Sequence, residues 1–136
     1  MTDLRNIIVP KKLPVNPLPE CDGDGRLIWE VYEDIPVQVG PVYFVIEKGF
    51  RFDWASVPRF LQPFLPQRSI ISIASLAHDK GYQSGIPKGI CDGMFRDLLA
   101  ADNQPYWVRL VMVGAVGLFG ASAYDAHRRR EQAQYE

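Results

Sequence analysis

The apolar residues change their spacing part-way along the chain, and that change constrains the fold more than any other feature. Up to about Phe52 they come in short strand-like runs, Leu27–Tyr32, Ile35–Val39 and Val42–Ile46, the last being the strongest. From about Ser69 onward they recur every three or four residues, the spacing of a helical face. Strands followed by helices predict an α+β fold: a small N-terminal antiparallel sheet and then about three helices.

Punctuation residues divide the chain further. Pro10, Pro14, Pro17 and Pro19 make residues 1–25 an extended proline-rich arm or sheet edge. Residues 26–127 read as one α+β domain and 128–136 as a polar basic tail. Asp22-Gly23-Asp24-Gly25 is a turn signal, and a hairpin accounts for it better than a calcium loop, because the other acidic ligands are absent. Lys48-Gly49 predicts a tight turn joining Val42–Ile46 to Phe50–Phe52 as a hairpin. The predicted helices run over 69–82 and 88–101, with a third from Pro105 that reaches His127 or beyond.

Composition excludes several function classes. With 136 residues, 15 basic and 16 acidic, the net charge is -1, which disfavours a general electrostatic nucleic-acid binder. Two cysteines, Cys21 and Cys91, make neither a disulfide framework nor a four-ligand zinc site, and suit a reducing compartment. Two histidines, His78 and His127, exclude any mechanism that needs three imidazoles. The N-terminus lacks the apolar stretch of a secretory signal.

The third helix carries no charge from Leu110 to Tyr124. A spanning helix needs about twenty apolar residues. This run is shorter and rich in small residues, so it reads as a buried helix rather than a membrane-inserted one. Gly114, Gly117 and Ala121 form a small-residue stripe flanked by Val113, Val116 and Phe119-Gly120. The expectation is that another element approaches the stripe closely, that nearly the whole circumference is covered, and that Gly117→Leu unfolds the protein.

Chemistry concentrates in Ala74–Tyr82. Ile71, Ala74, His78 and Tyr82 share one helical face, which turns His78 inward. On the next helix Asp92 shares a face with Phe95 and Leu99, and these core residues draw the carboxylate inward, where it needs a partner. Consecutive helices joined by a short link pack antiparallel, so His78 and Asp92 are expected to meet, with Tyr82 as a second donor to Asp92. The carboxylate would then fix the histidine tautomer and raise its basicity, the requirement of a general base. The same residues serve equally as a buried polar network that fixes two helices. Asp79 points elsewhere, as a solvated acid or as a single carboxylate ligand for a calcium or magnesium ion. Asp53 and Ser56, three apart before Pro58, suit side-chain bonds to a turn; a nucleophilic Ser56 lacks the glycine-flanked elbow.

Gly49-Phe50-Arg51-Phe52-Asp53-Trp54-Ala55-Ser56-Val57-Pro58-Arg59, Ala77-His78-Asp79-x-x-Tyr82, Asp92-x-x-Phe95 and Val116-Gly117-Leu118-Phe119-Gly120 resemble the DUF1353 family of small phage and prophage proteins. The likeness covers about residues 42 to 120. It implies a phage-encoded accessory or tail-associated virion protein, found in the host cytoplasm or the virion. A phage structural protein or a host envelope component is the implied partner, and a second copy of the chain is a further candidate. Nucleic acid and a membrane-inserted state are disfavoured. A shorter stretch, His78-Asp79-x-x-Tyr82 with Asp92, is similar to the active-site motif of secreted phospholipases A2. That resemblance implies a metal-assisted hydrolase of lipid or cell-envelope esters or amides. In it His78 is the general base, Asp79 the calcium ligand, and Asp92 with Tyr82 the orienting network. The paired cysteine before the histidine and the glycine-rich calcium loop are missing.

Overall fold

The computed structural model describes the backbone of residues 7–21, 25, 27–54, 58 and 60–135, and the side chains of these except 121–123, 126–128 and 130–135. Two compact units form, Met1–Asp53 and Trp54–Glu136. The first is β, the second α, and the order of elements is the α+β arrangement that the spacing change predicts.

The first unit holds two three-stranded antiparallel sheets. In one, β1 (Ile7–Ile8) pairs with β4 (Ile35–Val39), and β4 pairs with β5 (Val42–Ile46). In the other, β2 (Val15–Cys21) pairs with β3 (Leu27–Val31), and β3 pairs with β6 (Arg51–Phe52). Ile35, Val37 and Val39 are buried while Pro36 is exposed, the two-residue alternation of a half-covered strand. Pro17 and Pro19 lie on β2, an edge of its sheet, where proline is tolerated, and the register with β3 shifts between Pro17 and Cys21. β2 and β3 pair antiparallel, and the Asp22–Asp24 part of the turn signal between them lies outside the described residues.

The predicted hairpin between Val42–Ile46 and Phe50–Phe52 does not form. The turn itself exists: the Phe50 amide donates to the Glu47 carbonyl at 3.1 Å, and Gly49 at φ 93° supplies the left-handed residue that a type II turn needs. The chain beyond the turn pairs with a different strand. The Gly49 amide donates to the Val31 carbonyl at 2.8 Å, and the Val31 amide to the Phe50 carbonyl at 3.0 Å, so β6 joins β3 in the other sheet.

In the second unit α1 (Gln67–Ile70) is a single turn, with α2 (Ile73–Ser84), α3 (Lys88–Ala101) and α4 (Tyr106–Tyr135) after it. The helix expected over 69–82 is therefore divided. Ser72 is extended, at φ −143° and ψ 159°, and its Oγ accepts from the Ser75 amide at 3.3 Å, which makes it the N-cap of α2. The same hydroxyl donates to the Ser69 carbonyl at 3.0 Å. Ile71 thus lies outside α2 and does not share the His78 face as expected. Ser72→Ala is expected to lower the unfolding free energy by about 0.5–2 kcal/mol in urea titration.

Gly85, left-handed at φ 82°, ends α2, and the Ile86 amide returns to the Gly81 carbonyl at 3.1 Å. The short link lays α3 back along α2. A Cβ on Gly81 would stand 2.8 Å from Cys91 Sγ, so the glycine lets the two helices approach here. α4 packs on both α2 and α3. Its inward residues Val108, Met112, Ala115 and Val116 join Leu76, Phe95, Leu98 and Leu99 in the core. The connection between α3 and α4 is pinned by buried Gln104, which accepts from Ser69 Oγ at 2.6 Å.

The small-residue stripe on α4 is not where the close approach occurs. A Cβ at Gly114 or Gly117 meets nothing within 4 Å, and Leu110, Val111, Leu118 and Phe119 are exposed, so only part of the circumference is covered. With open space beside Gly117, overpacking gives no reason for Gly117→Leu to unfold the protein, contrary to the expectation from the stripe. Among the described residues no helix is long and apolar enough to cross a membrane.

Candidate functional site

The packing of α2 against α3 brings His78, Tyr82 and Asp92 together. His78 Nε2 lies 2.7 Å from Asp92 Oδ1, and the Tyr82 hydroxyl donates to the same oxygen at 2.9 Å. Spacing explains the pairing of donors. His78 and Tyr82 are one helical turn apart on α2, so both reach one carboxylate on α3. The His78 ring also stands 4.1 Å from the Tyr82 ring and 5.0 Å from Phe95, between centroids.

Lys88, which the sequence does not single out, completes the site. Its Nζ donates to Asp92 Oδ2 at 2.5 Å and to the Val116 carbonyl of α4 at 3.2 Å. Asp92 therefore receives donors on both oxygens, and the network ties three helices together. Lysine in the first turn of a helix opposes the helix dipole. Its two acceptors here offset that disadvantage.

Gly120 on α4 makes the convergence possible. A Cβ there would stand 2.7 Å from the Tyr82 hydroxyl and 3.5 Å from Lys88 Cε. Its bare backbone leaves room for the phenol and for the lysine stem. Gly120→Ala is expected to destabilise the protein by about 1–2 kcal/mol, because the displaced group is a rigid ring already held by Asp92. Gly117→Ala is expected to act in the opposite direction on the fold, by roughly 0.5–1 kcal/mol, through helix propensity. Parallel thermal melts of the two variants check the contrast in sign.

The electrostatics follow from burial and bonding. The His78 side chain has 0% exposure, and burial lowers its pKa below the usual 6.5, outweighing the upward pull of Asp92. Lys88 already neutralises that carboxylate and adds a further downward push. His78 is thus a neutral ring that donates Nε2–H to Asp92, which places its lone pair on Nδ1. Burial pushes Asp92 upward, but the bonds from His78, Lys88 and Tyr82 together bring it down to about 2. Burial first, and then the bond to Asp92, raise the Tyr82 phenol far above its usual value, so it remains a donor.

Asp79 is buried on α2 rather than being a solvated acid. Among the described residues no group of three or more His, Cys, Asp or Glu side chains is placed to hold a metal ion. The single carboxylate of Asp79 does not make the cage of about six to eight oxygens that calcium takes. Asp53 is half-buried at the end of the first unit, and Ser56 lies outside the described residues, as does the side chain of His127.

Fold and site together define an α+β protein whose helical unit is built around one half-buried carboxylate that accepts from three side chains. The chain belongs to the family described as "Protein of unknown function (DUF1353)", whose family model matches residues 29–116. The match runs from β3 into α4 and includes His78, Tyr82, Lys88 and Asp92. No curated protein and no solved structure matches the chain.

Proposed function

We propose that this chain is a non-catalytic accessory or virion-associated protein of a phage, whose partner is a phage structural protein or a host envelope component. The sealed His78 ring carries the reading. A general base must touch the water or hydroxyl it deprotonates. A ring with 0% exposure, bonded to a carboxylate that is itself held by Tyr82 and Lys88, is in contact with protein instead. Such a network rigidifies a small core and fixes the register of three helices. The phage setting rests on the family resemblance of the His-Asp-x-x-Tyr helix and the turn before it.

The hydrolase reading keeps one observation in its favour, the 2.7 Å bond that fixes the His78 tautomer with Tyr82 as second donor. One pair of measurements separates the two. Wild type and His78→Gln are assayed on short-chain esters and on phospholipid vesicles, with and without calcium. The chain is also sought by immunoblot in particles purified from a producing host. The accessory reading expects equal background hydrolysis from both proteins and recovery of the chain with the particles. Turnover that disappears in a folded His78→Gln variant would assign the site to catalysis.

A further inference from the structure

We propose that the outer face of α4 is the contact surface of a homodimer, two copies pairing antiparallel with Gly114 at the two-fold axis. A helix on a protein surface ordinarily turns polar residues outward. This one does not. Trp107, Leu110, Val111 and Leu118 are 53%, 57%, 36% and 79% exposed, and they share one face with exposed Gly114 and Gly117. From Tyr106 to Tyr124 the only charged residue is Arg109. It is turned off that face, with its Nε donating to the Gln104 carbonyl at 3.1 Å and its guanidinium over the Tyr106 ring.

A second copy fits this face for three reasons. The first is shape. About an axis at Gly114, an antiparallel copy sets Leu110 beside Leu118 and Val111 beside Gly117, so bulk meets bulk at the ends and a notch near the centre. A Cβ at Gly114 or Gly117 meets nothing within 4 Å, so the notch is open to an approaching backbone. The second is area. The exposed parts of these side chains amount to roughly 500 Å² per protomer, or about 1,000 Å² for the pair, the lower bound for a specific interface. A dimer of that size is expected to be weak, with Kd of order micromolar. The third is charge. A helix lying on an anionic bilayer flanks its apolar face with Lys and Arg. Here α4 carries one basic residue from Tyr106 to Tyr124, Arg109, whereas an uncharged surface is complementary to itself. Antiparallel pairing also sets the two helix dipoles in opposite directions.

The full chain is examined by sedimentation velocity from about 1 to 200 μM, together with Leu118→Glu. Gly114→Cys in a Cys21→Ser background is tested for air oxidation, since Cys21 is also exposed. Circular dichroism checks the fold of each variant, and all three replaced positions are at the surface. The expected result is concentration-dependent dimerisation, weakened at least about tenfold by Leu118→Glu. Rapid formation of a disulfide-linked dimer by Gly114→Cys is also expected. A wild-type chain that stays monomeric throughout, or a dimer indifferent to Leu118→Glu, overturns the proposal. Co-flotation with vesicles of phosphatidylglycerol and phosphatidylethanolamine, lost in Leu118→Glu, would assign the face to a bilayer and overturn it equally.

Discussion

Asp92→Ala is expected to lower the unfolding free energy by about 3–5 kcal/mol. The magnitude comes from the groups that remain after the carboxylate is gone. His78 Nε2–H and the Tyr82 hydroxyl are donors on side chains that are almost wholly buried, and each would be left without its acceptor. An unmade bond to such a group costs roughly 1–3 kcal/mol. Lys88 is better placed to recover, because its side chain is 26% exposed and water can reach it. Its hold on the Val116 carbonyl would still loosen, so α4 is affected together with α2 and α3. Asp92→Asn, which keeps one acceptor oxygen and loses the charge, should fall between wild type and alanine. Urea titrations of the three proteins at neutral pH give the order. An alanine variant within about 1 kcal/mol of wild type would show that the network does little for the fold.

Parts of this network are legible in the sequence because they obey local rules. His78 and Tyr82 are four apart, Asp92 shares a face with Phe95 and Leu99, and the link between α2 and α3 is short. Those facts suffice to predict the meeting of three side chains. Lys88 obeys a local rule as well, four residues before Asp92, but at a helix N-terminus a lysine reads as an exposed surface residue. Its second acceptor, the Val116 carbonyl, belongs to the backbone and leaves no mark in the residue types. Gly120 reads as one of several small residues. Only the arrangement of helices distinguishes it from Gly114 and Gly117, which have open space where a Cβ would be. The hairpin expected between β5 and β6 fails for a related reason. Lys48-Gly49 encodes a turn, while the choice of β3 over β5 as the partner of β6 depends on the whole sheet. The uncharged run in α4 reads as a helix to be covered all round, because hydropathy reports burial without saying which molecule provides it.

Acid is expected to unfold the protein in two stages, each with a sign fixed by this site. His78 titrates lower in the folded state than the usual 6.5, so below that pH the unfolded chain takes up a proton that the folded ring refuses. Stability that is complete above about pH 6.5 therefore begins to fall as the pH drops through about 6. Asp92 supplies the second stage. Its folded pKa of about 2 lies below the ordinary 3.8, so its contribution is present above pH ~4 and is lost as the pH falls toward 2. That stage should remove about 2 kcal/mol, a figure reduced for the 22% exposure of the carboxylate. The two stages can be told apart by substitution. His78→Gln keeps a donor for Asp92 and removes the titrating ring, so it should flatten the stability curve between about pH 7 and 5 while leaving the fall below about pH 4. Asp92→Asn should do the reverse at the acid end, since the amide has no proton to gain. Unfolding free energies from urea titration at intervals across roughly pH 2–8 test both. A wild-type curve that stays level from about pH 7 to 5 would mean that His78 takes up its proton in place, which a ring held away from water among Tyr82, Phe95 and Asp92 should resist.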